Sequence, residues 1–421
     1  MVANQEMLAE HNQLVARLYQ QGKYTVALPI AHYAVLKTKE TCGTDHPVYA
    51  ESLNNLALLY DSLGEFEKAE PLYIEALQVT DRALGENHPD FAAILNNLAL
   101  MYDSMGAYEK AELLGEMSSE ILQDVPGEDP DYAKSLDTMA ELGEFLGEYL
   151  KAEPICTQAL LQRKEELGED NPDYAESLSN LGLLYTSIGA YGKAEPLCIQ
   201  ALQIRKGVLG TEHPEYVQSL NSLAGLYSSM GAYEKAEPLY KEALEITWKL
   251  TGENNPEYIQ SLNNLAGLYL STEAYEKAEP LYLEALEITR RVMGENNPAY
   301  IQGLNNIAGL YYSMEAYEKA EPLYLEALET TKKVLGEDHP DYAHSLNDLA
   351  GLYYSMEAYE KAEPLYREAL EITKKVLGED HPGYVTCLNN LAGLYYSMEA
   401  YEKAEPLSLE ALQIQKNITD D

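Results

Sequence analysis

The chain has 421 residues, is 46% apolar and carries a formal net charge of -41. The apolar content argues against global disorder. A surface of that sign repels phosphate and anionic lipid, so neither nucleic acid nor a membrane surface is expected as a partner. No run approaches 18 apolar residues, so no membrane span is expected.

The N-terminus, "MVANQEMLAEHNQ", has neither a basic nor an apolar targeting region. The four cysteines, Cys42, Cys156, Cys198 and Cys387, form no C-x-x-C pair and are expected as core thiols in a reducing compartment. A cytoplasmic location follows as the expectation. Lys outnumbers Arg 22 to 7, which argues against salt adaptation as the source of the acidity.

The prolines reveal the organisation. One set runs Pro47, Pro89, Pro130, Pro172, Pro214, Pro256, Pro298, Pro340, Pro382; a second runs Pro29, Pro71, Pro154, Pro196, Pro238, Pro280, Pro322, Pro364, Pro406. Both keep a period of 42, with a single 41, and together they account for 18 of the 19 prolines. A period of that length sustained along a whole chain marks stacked helical repeats.

In chain order, a degenerate first repeat occupies residues 1–46, and nine more fill 47–421 as one continuous array. Residues 89–171 diverge most: Gly115 and Gly143 replace tyrosines, and "DVPGEDP" is one residue short. The segment His339–Gly378 shows the design clearly. An Asn or His before the anchor proline reads as an N-cap, and the proline as the first helical residue. Tyr342, Leu346, Leu349, Ala350 and Tyr353 recur at helical spacing and define helix A. A turn at "SMEAY" leads to helix B, expected from Tyr359 to Leu377, with Gly378 closing it. Proline inside helix B removes a backbone hydrogen bond and is expected to bend the helix. Each helix pair has two apolar faces and needs neighbours to cover both.

These residues resemble the tetratricopeptide repeat family. Its pattern is met by Leu346, Leu349-Ala350, Tyr353, Tyr359, Ala362, Tyr366 and Ala369, with Glu357 at the usual turn glycine. The 42-residue length and the words "LNNLA.LY", "YEKAEPLY" and "LGEDHP" are similar to kinesin light chains. The resemblance implies an all-α, right-handed superhelical solenoid of about ten antiparallel helix pairs, with helix A lining a concave groove. It further implies a protein–protein interaction scaffold that binds extended segments.

No catalytic motif is present, and the histidines before the prolines stand one repeat apart rather than around a metal. No catalytic residue, metal or cofactor is expected. By the resemblance, the peptide-binding positions on helix A are Asn54, Asn96, Gln218, Asn221, Gln260, Asn263, Gln302, Asn305, Tyr312, Asn347, Tyr354, Asn389 and Tyr396. An amide carries a donor and an acceptor, matching a peptide bond. Gly225, Gly267, Gly309, Gly351 and Gly393 on the same helices imply either close approach of a ligand or close packing of neighbouring helices A.

Toward the N-terminus the corresponding surface carries Glu51, Asp61, Asp103, Asp137, Glu141, Glu144 and Glu176, with Lys134 the one basic residue. A neutral or basic extended partner is therefore expected, its basic part toward the N-terminal repeats. The alternatives are a spacer that self-associates end to end, and a kinesin-light-chain-like cargo adaptor. The absence of a long heptad segment before the repeats argues against the adaptor.

Overall fold

In the computed structural model, residues 11–19, 23–123, 149–379 and 381–420 are described. Within them the chain is helical throughout, without strands. It divides into two compact parts, Met1–Leu268 and Tyr269–Asp421. In each, consecutive antiparallel helix pairs pack as a repeat solenoid.

Among the described residues each anchor proline opens a helix A of 16 residues, such as Pro214–Ser229, Pro298–Ser313, Pro340–Ser355 and Pro382–Ser397. The residue before it caps the helix. Asn171 and Asn297 accept the N–H of Asp173 and Ala299 at 2.8 and 2.9 Å. Nδ1 of His339 and His381 does the same for Asp341 and Gly383, at 3.0 and 2.9 Å. The histidines are thus capping groups, and the acceptor role requires Nδ1 to be unprotonated.

Helix B follows after a tight turn, as in Tyr317–Val334 and Tyr359–Leu377, and runs unbroken through its proline. The Tyr359–Leu377 helix ends at Gly378, whose φ of 84° suits a residue without a Cβ.

The core crosses repeat boundaries. Tyr342, Ala343, Leu346 and Ala369 of one repeat are buried together with Cys387 of the next, and Leu328 of the preceding repeat packs against them. Burying one such leucine contributes about 1.5–3 kcal/mol, and the neighbours supply part of the cover. Cys156, Cys198 and Cys387 are buried and form no disulfide. Burial pushes the Cys198 thiol up to about 11, which makes it inert.

The seams carry a repeated polar clamp. The Tyr353 hydroxyl donates to Glu321 of the preceding helix B at 2.8 Å. Lys361 lies 4.5 Å from the centre of the Tyr353 ring and 3.6 Å from the Glu321 carboxylate. The same trio recurs as Tyr185, Glu153 and Lys193, and as Tyr395, Glu363 and Lys403. Burial and the neighbouring Glu321 push the Tyr353 hydroxyl up to about 12, so it stays a donor.

A second seam contact joins a buried Thr of helix B to the next helix A, as Thr331 to Ser345 at 3.3 Å. Two repeats replace that Thr with buried arginines, Arg163 and Arg205, which donate to Ser177 and Ser219 at 2.9 and 3.0 Å.

The turn between the helices differs along the chain. Gly64, Gly106, Gly189 and Gly231 have φ near +70°, and Glu273, Glu315, Glu357 and Glu399 replace them at φ 56–58°. The left-handed conformation costs a non-glycine residue about 1–2 kcal/mol, and glycine's larger unfolded-state entropy offsets about 0.5–1 of that. Combined Glu315→Gly, Glu357→Gly and Glu399→Gly substitution is therefore expected to stabilise the chain by roughly 1–2 kcal/mol, read as a rise in the urea midpoint; a fall would refute the strain. Tyr353→Phe is expected to cost about 1 kcal/mol by removing the clamp hydrogen bond. Unchanged urea unfolding would show that the clamp contributes nothing.

Candidate functional site

Helix A presents one strip to a neighbouring helix A and an adjacent strip to solvent, and the candidate residues divide between them. Asn54, Asn221, Asn263, Asn305 and Asn347 are half-buried, and Asn96 is buried. Asn54 accepts from Asn97 of the next repeat at 3.0 Å. Asn347 donates its amide to Cys387 of the next repeat at 3.1 Å. The Oδ1 atoms of Asn221, Asn263, Asn305 and Asn347 are sealed from solvent with no hydrogen-bond partner. Exchanging amide N and O would leave an unpaired donor there instead. The row thus faces the seam. Asn389, in the last repeat, is exposed.

The solvent-facing strip holds Gln218, Gln260, Gln302, Tyr312, Tyr354 and Tyr396, all exposed. Gln302 donates to Asn306 at 2.9 Å. The Tyr312 and Tyr354 hydroxyls meet Ser355 and Ser397 of the following helix A at 2.7 and 2.8 Å. Around the helix the glycines lie between the glutamines and the asparagines. A Cβ at Gly225, Gly309 or Gly351 would meet only the hydroxyl of Tyr240, Tyr324 or Tyr366, at an ordinary 3.5–3.8 Å, and at Gly393 it would meet nothing. Contact with a neighbouring helix A therefore does not require glycine at these four positions. They leave open notches, floored at Gly225, Gly309 and Gly351 by tyrosine hydroxyls from helix B.

Three features of this face were missed in the sequence. The second asparagine of "LNN" belongs to it, as the bonds of Asn97 and Asn306 show. Its adjacency to the first asparagine was the available signal. The first repeat contributes Asn12, which accepts from Ser52 of the next repeat at 2.9 Å. The tyrosines flooring the notches lie 15 residues beyond their glycines, a spacing that only the folded helix pair explains.

The acidic positions are partly placed. Lys134, Asp137, Glu141 and Glu144 lie outside the described residues. Glu176 is paired with Arg163 at 3.1 Å. Asp61 and Asp103 occupy the register of Tyr312 in repeats two and three. Burial pushes the Asp61 carboxyl up to about 7. The buried Tyr73 hydroxyl stands beside it without a well-formed hydrogen bond. Burial also pushes Asp103 up to about 6, and its Oδ1 is sealed and unpaired. Among the described residues no His, Cys, Asp and Glu cluster suits a metal ion, and no helix is long and apolar enough to cross a membrane.

Helix pairs of one design, joined by seam clamps and exposing one repeated strip, define a helical-repeat interaction protein. The tetratricopeptide repeat model matches residues 6–77, 62–124, 131–197, 188–247, 257–330, 300–375 and 352–417, and the chain belongs to that family. No curated protein matches it significantly.

Among solved structures it is similar to BtubC (BKLC) from P. vanneervenii, at 26% identity over 55% of this chain and 91% of that one, with a TM-score of 0.45. A kinesin-light-chain-like protein of Podosopora anserina with nearly identical repeats gives 21%, 49%, 98% and 0.41 in the same order. A Rap protein complexed with Competence and Sporulation Factor shares the fold, with a TM-score of 0.56 at 15% identity, over 88% of this chain and 99% of that one.

An acid with a raised pKa in the fold contributes stability that is complete below its unfolded value, near ~4, and is lost as pH rises through its folded value. For Asp61 and Asp103 that loss is complete by about 7 and about 6. Joint Asp61→Asn and Asp103→Asn substitution is therefore expected to leave stability nearly unchanged at about pH 3.5 and to raise it at about pH 8 by roughly 1–3 kcal/mol, read from thermal unfolding. Equal shifts at both pH values would contradict the assignment.

Proposed function

We propose that the chain is a non-enzymatic cytoplasmic scaffold that holds an extended, neutral or basic segment of a protein partner along its helix A faces. The observation that carries this reading is the run of open notches at Gly225, Gly309, Gly351 and Gly393 beside exposed Gln and Tyr side chains. Glycine in mid-helix costs about 0.5–1 kcal/mol against alanine, and packing does not demand it at these positions. Close approach of a backbone does. The exposed glutamines offer both donor and acceptor to passing peptide groups. Asp61 and Asp103 favour a cation toward the N-terminal repeats, and their ionisation between about pH 6 and about pH 7 would strengthen that end. Repetition suits an extended partner because each added contact becomes intramolecular.

The test is peptide display with the purified chain beside two variants. One carries Asn263→Ala, Asn305→Ala and Asn347→Ala. The other carries Gly309→Leu and Gly351→Leu, which copies the leucine of Leu58, Leu100 and Leu183 at the same register and should fold. The wild type is expected to enrich neutral or basic peptides, and the leucine variant to lose at least about tenfold in affinity, roughly 1.4 kcal/mol. The asparagine variant decides whether the seam amides take part. Equal enrichment by all three proteins would overturn the reading. No enrichment together with a concentration-dependent mass would replace it with self-association.

A further inference from the structure

In the C-terminal part the turn between the helices is flanked by a pair of tyrosines. Tyr312, at the end of helix A, and Tyr317, at the start of helix B, have ring centres 5.8 Å apart and are tilted at 45°. Tyr354–Tyr359 and Tyr396–Tyr401 repeat the pair at 5.9 and 6.2 Å. The first ring of each pair is substantially exposed, at 38%, 36% and 43%. Two of these rings are held in place by the serine of the next repeat, through the bonds at 2.7 and 2.8 Å.

Each pair brackets a glutamate of the turn. Glu315, Glu357 and Glu399 lie between the two tyrosines in sequence, are exposed, and sit in the left-handed conformation that other repeats give to glycine. The N–H of Glu315 is bonded to the carbonyl of Tyr312 at 2.9 Å, which ties the carboxylate's residue to the aromatic one. Among the described residues these three glutamates make no ion pair. The nearby lysines are committed elsewhere: Lys319, Lys361 and Lys403 cover the rings of Tyr311, Tyr353 and Tyr395 in the seams. Two aromatic rings and an unneutralised carboxylate on one turn attract a cation. A guanidinium suits the place better than an ammonium, because it stacks flat on an aromatic ring while its N–H groups reach a carboxylate.

We infer that the three tyrosine-flanked turns are successive sockets for arginine side chains of one extended, basic segment of a protein partner. The inference rests on the scaffold reading and assigns part of the partner's chemistry. Its spacing follows from the fold. Tyr312 touches Ser355 of the next helix A, so neighbouring sockets lie one helix-to-helix step apart, about 8–10 Å. A polyproline II chain rises about 9 Å in three residues. The segment should therefore carry arginine at every third position. Repeat seven supplies a natural contrast, with Leu270 in place of the first tyrosine beside Glu273.

The test is fluorescence anisotropy with the full chain and a capped peptide carrying three arginines, each separated by two prolines. A control peptide of the same composition has its three arginines adjacent. Three variants accompany the wild type. Tyr312→Ser, Tyr354→Ser and Tyr396→Ser copies Ser228, and Glu315→Gly, Glu357→Gly and Glu399→Gly copies Gly231, so both use residues the fold already accepts. Glu287→Gln, Glu329→Gln and Glu371→Gln removes the same charge from exposed helix B positions.

The spaced peptide is expected to bind, to weaken at least about tenfold with each of the first two variants, and to change less than about twofold with the third. The adjacent-arginine peptide is expected to bind at least about fivefold more weakly. Any of three results would overturn the inference: no binding of the spaced peptide, serine-variant binding equal to wild type, or an equal loss in the glutamine variant. The scaffold reading fails separately, on the Gly309→Leu and Gly351→Leu variant in the display experiment.

Discussion

The structure depends on the seam between one repeat and the next. A helix pair cannot cover both of its apolar faces, so the Leu346 cluster is completed by Leu328 before it and Cys387 after it. Burial alone would tolerate sliding of one repeat over the other. The Tyr353, Glu321 and Lys361 trio restricts that, because a hydroxyl donor, a carboxylate and an ammonium meet only at one register. The clamp explains why "YEKAEPLY" recurs so faithfully: the second Glu of one copy, the tyrosine of the following helix A and the Lys of the next copy are the three parts of one joint.

That joint also governs which residues are left for recognition. Once Lys319, Lys361 and Lys403 are held over seam tyrosines, the turn glutamates face solvent without a neighbouring cation. Once the asparagine row is drawn into the gap between helices A, the exposed strip is left to Gln, Tyr and the glycine notches. The surface available to a partner is therefore what remains after the repeats have joined. Its character shifts along the chain because one register position holds Asp61 and Asp103 early and Tyr312, Tyr354 and Tyr396 late.

The periodic features were legible from residues alone because each is local. Pro340 after His339 sets a helix start through a missing N–H and a short-range cap, and Gly378 sets a stop through a positive φ. The 42-residue repeat, the helix boundaries and the all-α class follow from such local rules, and the helix from Tyr359 to Leu377 has the limits its sequence predicts. The resemblance to the tetratricopeptide family, carried by those residues, marked helix A as the candidate face.

Which side chains on that face are reachable was decided only by tertiary structure. Asn305 and Gln302 are equally polar and three residues apart, yet one is drawn into the seam and the other is exposed. The difference lies in the angle at which the next helix A packs, and no residue within the repeat encodes that angle by itself. Likewise the notch at Gly309 is floored by the Tyr324 hydroxyl, a contact that exists only after helix B folds back. Sequence by itself determined that this chain is a tetratricopeptide array and where its helices begin and end, because caps, prolines and periodicity act within a few residues. Tertiary structure decided which polar groups are spent on the seams and which stay free to meet a partner, because that division depends on contacts between residues about 40 positions apart.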